Sequence, residues 1–167
     1  MRAFRFILVL ILLYSSISYA TTSSFTIAKG FGLKNRSDNT NDTSDINHYT
    51  KLALSNNAPK SMKIQYMKAY IDTAELICKE KNIEIPPLLH LARAEYFFIT
   101  SDFNNASQEA TIALKLAVNE GDNIVIAKAN YFLGKYSHRT GSFKESIDYY
   151  AQSIEVARKN RLKGFLP

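Results

Sequence analysis

The strongest constraint on this chain is an internal recurrence. From Asn123 to Lys159 the skeleton residues are Leu133-Gly134, Gly141-Ser142-Phe143, Tyr150, Ile154 and Ala157. Forty positions earlier stand Ala94, Ser101-Asp102-Phe103, Ala110, Leu114 and Ala117. Small, aromatic and aliphatic residues thus return in register, which marks an array of like units that bury their apolar faces on one another.

From about Leu88 to Lys159 the chain resembles the tetratricopeptide repeats, with a spacing near forty residues rather than the common one of about 34. Ala94 and Gly134 hold the place of the small residue that lets the second helix of such a unit pack closely. Ser101-Asp102-Phe103 and Gly141-Ser142-Phe143 match the turn, and Ala113-Leu114 and Ser153-Ile154 match the second helix. The chain departs from the pattern where large apolar residues are expected: His90 and Asn130 lie four before the small residue, and Arg93 stands where the later copy has Leu133. The resemblance implies an all-α fold of antiparallel hairpins stacked as a short right-handed solenoid.

Residue patterns supply the remaining helices. Ile46, Tyr49, Leu52 and Ala53 form one stripe, and Ile64, Met67, Tyr70, Ile71, Ala74, Ile77 and Cys78 form a longer one at helical spacing. These read as an earlier pair forty positions back, with Tyr70 under Ala110 and Tyr150. Pro86-Pro87 ends one segment and favours a helix start. Asp102 and Ser142 are placed as N-caps, and Ser142 with Glu145 spells a capping box. On the last helix Phe143, Ile147, Tyr150, Ile154 and Ala157 commit one face to a neighbour. Six helices in three pairs are expected, at about 46–82, 86–120 and 123–160, in a repeat domain over 46–161 followed by a tail at 162–167.

The N-terminus has the parts of a secretory signal over 1–20: Arg2 and Arg5, an uncharged run from Phe6 to Tyr14, and Ser18-Tyr19-Ala20 before a cut. The run is shorter than the roughly 20 residues that span a bilayer. An exported protein, periplasmic or secreted, is expected, with an uncleaved N-terminal anchor as the alternative. Residues 21–45 are rich in Ser, Thr, Asn and Asp and read as a disordered polar leader. Of the 21 basic residues, loss of Arg2 and Arg5 leaves 19 against 15 acidic ones. That mild excess, spread along the chain, is not a nucleic-acid footprint.

Catalytic and metal chemistry find no foothold in the residue pattern. The sequence carries no Walker loop, no G-x-S-x-G and no H-E-x-x-H, and His48, His90 and His138 lack companions at ligand spacing. Cys78 is the sole cysteine and lies in an apolar sector, as a buried structural thiol does. Neither a cofactor nor an enzymatic activity is expected.

In the repeats that this chain resembles, first helices line a concave wall. The matching positions are Leu88, Leu91, Glu95 and Phe98 in one copy and Lys128, Tyr131, Lys135 and His138 in the next. The resemblance therefore implies a module that binds a protein or peptide segment, its apolar anchor at Leu91 and Phe98 and its acids at Lys128 and Lys135. The peptide-carboxylate clamp of some repeat families is not reproduced. The alternative is the extracytoplasmic sensor portion of a larger signalling protein whose kinase or cyclase domain is missing. Apolar residues around the last helix, including Tyr149 and Val156, also suggest self-association through an uncapped end.

Overall fold

The computed structural model describes residues 42–55 and 62–162. Six α-helices occupy them: α1 (Asp42–Leu54), α2 (Lys63–Glu80), α3 (Pro87–Ile99), α4 (Phe103–Glu120), α5 (Asn123–Arg139) and α6 (Phe143–Lys159), with no strand among the described residues. The expected all-α class and the three pairs are present. The signal segment, most of the leader and residues 163–167 lie outside the described residues. α1 begins at Asp42 rather than Ile46; Thr43 and Ser44 are exposed, so apolar periodicity is silent there, while acids suit a helix N-terminus.

Hydrogen bonds show how one pair is laid. Ser146 Oγ donates to the Gly134 carbonyl at 2.9 Å and Ser153 Oγ to the Ala127 carbonyl at 2.8 Å, so advancing along α6 means retreating along α5. The hairpin is antiparallel. Each helix packs on the next, and α3 also packs on α1 and α5, which joins the first helices of successive pairs.

The forty-residue recurrence extends to individual backbone bonds. Between α3 and α4, Thr100 N donates to Tyr96 O at 3.0 Å and Asp102 N to Phe97 O at 2.8 Å. Between α5 and α6 the matching bonds are Thr140 N to Tyr136 O at 3.0 Å and Ser142 N to Ser137 O at 2.8 Å. Both turns pass through a left-handed residue, Ser101 with φ 66° and Gly141 with φ 85°. The second helices end alike, by a bond from Ile83 N to Cys78 O, Asp122 N to Ala117 O and Leu162 N to Ala157 O, the six-to-one closure of a left-handed C-terminus.

Those closures also correct the register of the first pair. Cys78 corresponds to Ala117 at an offset of thirty-nine, so Ile71, not Tyr70, stands under Ala110. Burial agrees: Met67, Ile71, Ala74 and Cys78 face the core of α2 as Ala106, Ala110, Ala113 and Ala117 face that of α4. Ile64, expected in this sector, is 44% exposed.

Two linked apolar clusters fill the interior. One gathers Ile46, Ala53, Met67, Ile71, Ala74, Cys78, Leu89 and Ala92; the other gathers Leu91, Ala94, Ala106, Ala110, Ala113, Ala129, Phe132 and Leu133. On α6 the buried line is Ser146, Ser153 and Ala157; of the apolar stripe read from the sequence only Ala157 lies in it, with Tyr150 half-buried. Small residues allow close approach to α5, and the two hydroxyls spend their donors on its carbonyls. Phe143, Ile147 and Ile154 are left 61%, 68% and 45% exposed.

Caps differ between the turns. The Asp102 carboxylate accepts from Asn105 N, and that of Asp122 accepts from Ile124 N and Val125 N. Ser142 makes no side-chain cap bond, so the expected capping box is not formed. Its hydroxyl leaves the donors of the first turn of α6 to solvent. Ser142→Asp is expected to raise stability by about 0.5–1 kcal/mol through a charged cap like those of α4 and α5, read as a shift in the denaturation midpoint.

Candidate functional site

The first helices carry a groove of ≈ 400 Å³ where the C-terminal half of α1 meets the starts of α3 and α5. Leu54, Leu88, Ile124 and Val125 give it apolar walls, and Lys51 and Lys128 bring two ammonium groups; Asn47, Ser55 and Asp122 complete the lining. Asp122 spends its carboxylate on two backbone amides at the start of α5, at 3.0 and 3.1 Å. The groove is therefore apolar with a cationic edge. Such a surface suits an extended segment that presents an aliphatic or aromatic residue beside carboxylates.

The positions read from the sequence divide into two sets. Leu88 and Lys128 line this groove. Leu91 does not: it is 4% exposed and belongs to the second core cluster, which removes it as an anchor for a partner. Phe98 is half-buried, its ring 5.7 Å from that of Phe103 and 5.6 Å from that of Phe132, and Lys135 Nζ sits 4.7 Å from its centre and 5.3 Å from that of Phe132. The basic and apolar halves thus meet in a cation–π contact instead of forming separate subsites. Glu95 is half-buried beside them in sequence. Tyr131 is 52% exposed with its ring 5.6 Å from that of Tyr150, and His138 rests edge-on against Phe143 at 5.6 Å.

A single physical reason accounts for this division. Positions three before and four after the small residue point toward the next hairpin. In the second pair they are Leu91 and Phe98, which α5 covers with Phe132 and Leu133. In the third they are Tyr131 and His138, which no described residue covers in that way. Lys51 and Leu54 escaped sequence reasoning because the first pair departs from the forty-residue register.

A charged cluster was also missed. Glu109, on α4, holds Oε2 2.7 Å from His90 Nδ1 and Oε1 2.7 Å from Arg93 Nη2, while Arg93 Nε lies 3.4 Å from Glu75 Oε1. His90 and Glu109 side chains are each only 12% exposed. The two departures from the apolar pattern of α3 are thus paired with one acid on α4 and one on α2. Burial pushes the Glu75 carboxyl above its usual range, although Arg93 pulls the other way. Glu109 thus bridges His90 and Arg93, and Arg93 in turn reaches Glu75, so the cluster ties three helices together.

Cys78 is 3% exposed, and burial raises its thiol pKa, which keeps it protonated. Among the described residues no group of three His, Cys, Asp or Glu side chains is placed to hold a metal ion, and no helix is long and apolar enough to cross a membrane. Comparison with family models, curated proteins and solved structures found no match.

Proposed function

We propose that this chain is an exported, non-enzymatic helical-repeat module of the tetratricopeptide kind, which binds a protein segment along its first helices. The observation that carries this reading is the groove at Lys51, Leu54, Leu88, Ile124 and Lys128, where three first helices combine apolar walls with two lysines. The bond-for-bond repetition of the turns supports the repeat assignment, and the residues from Met1 to Ala20 support export. The preferred segment carries Asp or Glu next to a Leu- or Phe-sized anchor. The anchor supplies most of the affinity, since desolvated apolar contacts dominate such interfaces, and the lysines chiefly set the rate of association.

The test is a peptide array scored by fluorescence anisotropy with the full chain. Acidic peptides containing one Leu or Phe are expected to bind, and basic peptides of the same apolar content are not. Lys51→Glu is expected to weaken the acidic ligands about tenfold, roughly the worth of one close charge contact reversed, and to flatten their salt dependence. Binding that is indifferent to Lys51→Glu overturns the assignment of the groove.

A further inference from the structure

A second concavity, of ≈ 630 Å³, lies between α4 and the last turns of α5. Asn104, Ser107, Gln108, Thr111 and Ile112 of α4 line it with Tyr136 of α5, and none of them belongs to the groove of the first helices. Steps of three and four along α4 set Asn104, Ser107, Gln108 and Thr111 on one side of that helix. The lining carries no charged side chain; Lys115 and Arg139 are not among its residues. Corresponding places on the other second helices are charged. Lys68 and Asp72 of α2, joined at 2.8 Å, stand in register with Ser107 and Thr111 at the thirty-nine-residue offset, and Lys144 and Asp148 of α6 stand in register with Asn104 and Gln108 at forty. The neutral lining is therefore a property of the middle pair, not of the repeat.

What the lining offers specifies a ligand. The amides of Asn104 and Gln108 each bring donors and an acceptor, and the hydroxyls of Ser107, Thr111 and Tyr136 act as both. Thr111 commits its proton to the Ser107 carbonyl at 2.8 Å and keeps its lone pairs. The neighbouring Asn105 amide is held by the Asp102 carboxylate at 2.6 Å, whereas those of Asn104 and Gln108 bond no other described residue. A phosphate or carboxylate would meet no cation here, and a cation would meet no carboxylate. A protein anchor would find a single aliphatic side chain, Ile112, itself 41% exposed. A neutral ring bearing several hydroxyls fits: the hydroxyls exchange hydrogen bonds with the amides and hydroxyls of α4, and the C–H face of the ring rests on half-buried Tyr136. We propose that this concavity binds a neutral saccharide, with Asn104 and Gln108 as its hydrogen-bonding residues and Tyr136 as the platform for one sugar ring. This site is separate from the groove of the first helices, and Lys51 plays no part in it.

The probes are cellotetraose, maltotetraose and N-acetylated chitotetraose, with tetragalacturonate as the charged control, each titrated into the full chain by isothermal calorimetry. At least one neutral probe is expected to bind one-to-one with a Kd of about 1 mM or tighter. Tetragalacturonate is expected to bind at least about tenfold more weakly than that probe, because its carboxylates would lose water without gaining a cation. Asn104→Ala and Gln108→Ala should each weaken the neutral probe about fivefold, the scale of one hydrogen bond. Both side chains are exposed, so circular dichroism and Tm of these variants should match the parent. Tyr136→Ala should weaken it about tenfold while Tyr136→Phe keeps most of the affinity, since the ring is the platform. Lys51→Glu should leave saccharide binding unchanged. Failure of all three neutral probes to bind, or binding indifferent to both Asn104→Ala and Gln108→Ala, overturns the proposal. So does saccharide binding that is lost with Lys51→Glu, because the ligand then sits in the groove of the first helices.

Discussion

Glu109→Ala is expected to lower the stability of the helical domain by about 2–3 kcal/mol, below the 3–5 of a fully buried pair because Arg93 retains some access to water. The truncation removes the acceptor shared by His90 and Arg93, which lie 2.7 Å from its two oxygens. Arg93 keeps only the longer contact with Glu75. A guanidinium that is only 26% exposed, with its 2.7 Å partner gone, is a partly desolvated and poorly paired charge. The third pair supplies the control, since the register partners of Arg93 and Glu109 there are Leu133 and Tyr149, both packed in or against the core. Arg93→Leu/Glu109→Tyr should therefore recover most of the loss, as apolar replacements of ion pairs commonly do. The measurement is urea denaturation with the slope compared across variants, so that a shift in midpoint can be read as stability. A Glu109→Ala midpoint equal to that of the parent would sink the account.

The second large effect lies at Gly134. A Cβ at this position would stand 2.7 Å from Tyr150 Cδ1, 2.8 Å from Cε1 and 3.1 Å from Cγ, while the Gly134 carbonyl already accepts from Ser146. Gly134→Leu is expected to cost about 3 kcal/mol, the upper end of overpacking, because the branch would force α5 and α6 apart along the line of serine bonds. Gly134→Ala is milder. Tyr150 is only half-buried and its ring can swing outward, and the gain in helix propensity of about 1 kcal/mol offsets much of the clash. The second pair solves the same problem with Ala94 opposite Ala110, so Tyr150→Ala should turn Gly134→Ala from a loss into a gain. A double-mutant cycle by thermal denaturation checks this coupling, and additive single effects would refute it.

These two sites also show what could be read without coordinates. The place of a small residue at Ala94 and Gly134 was legible through the resemblance to a repeat family, whereas the side chain that stands against Gly134, Tyr150, was not. The polar cluster was legible only as an irregularity. His90 and Arg93 broke an apolar pattern, but their acids lie on two other helices, and no local period connects α3 to Glu109 and Glu75. The stripe on α6 was misread for a related reason. Periodicity identifies a face, yet it says nothing of what lies opposite, and the close α5–α6 contact admits serine where a wider one would need leucine.

The docking positions divide along the same line. Counting from the small residue selected Leu88, Leu91, Glu95 and Phe98, with Lys128, Tyr131, Lys135 and His138, but identical counts met opposite fates in successive pairs. Leu91 is buried because α5 lies on it, and Tyr131 is exposed because no described helix follows α6. By itself the sequence determined the six helices, their pairing, the Asp102 cap and the forty-residue recurrence, since each depends on residues within a few turns of one another. Only the tertiary structure decided the thirty-nine-residue offset of the first pair, the charged tie across α2, α3 and α4, and which faces stay open. Those depend on contacts between segments far apart in the chain, where one residue of slip changes every neighbour.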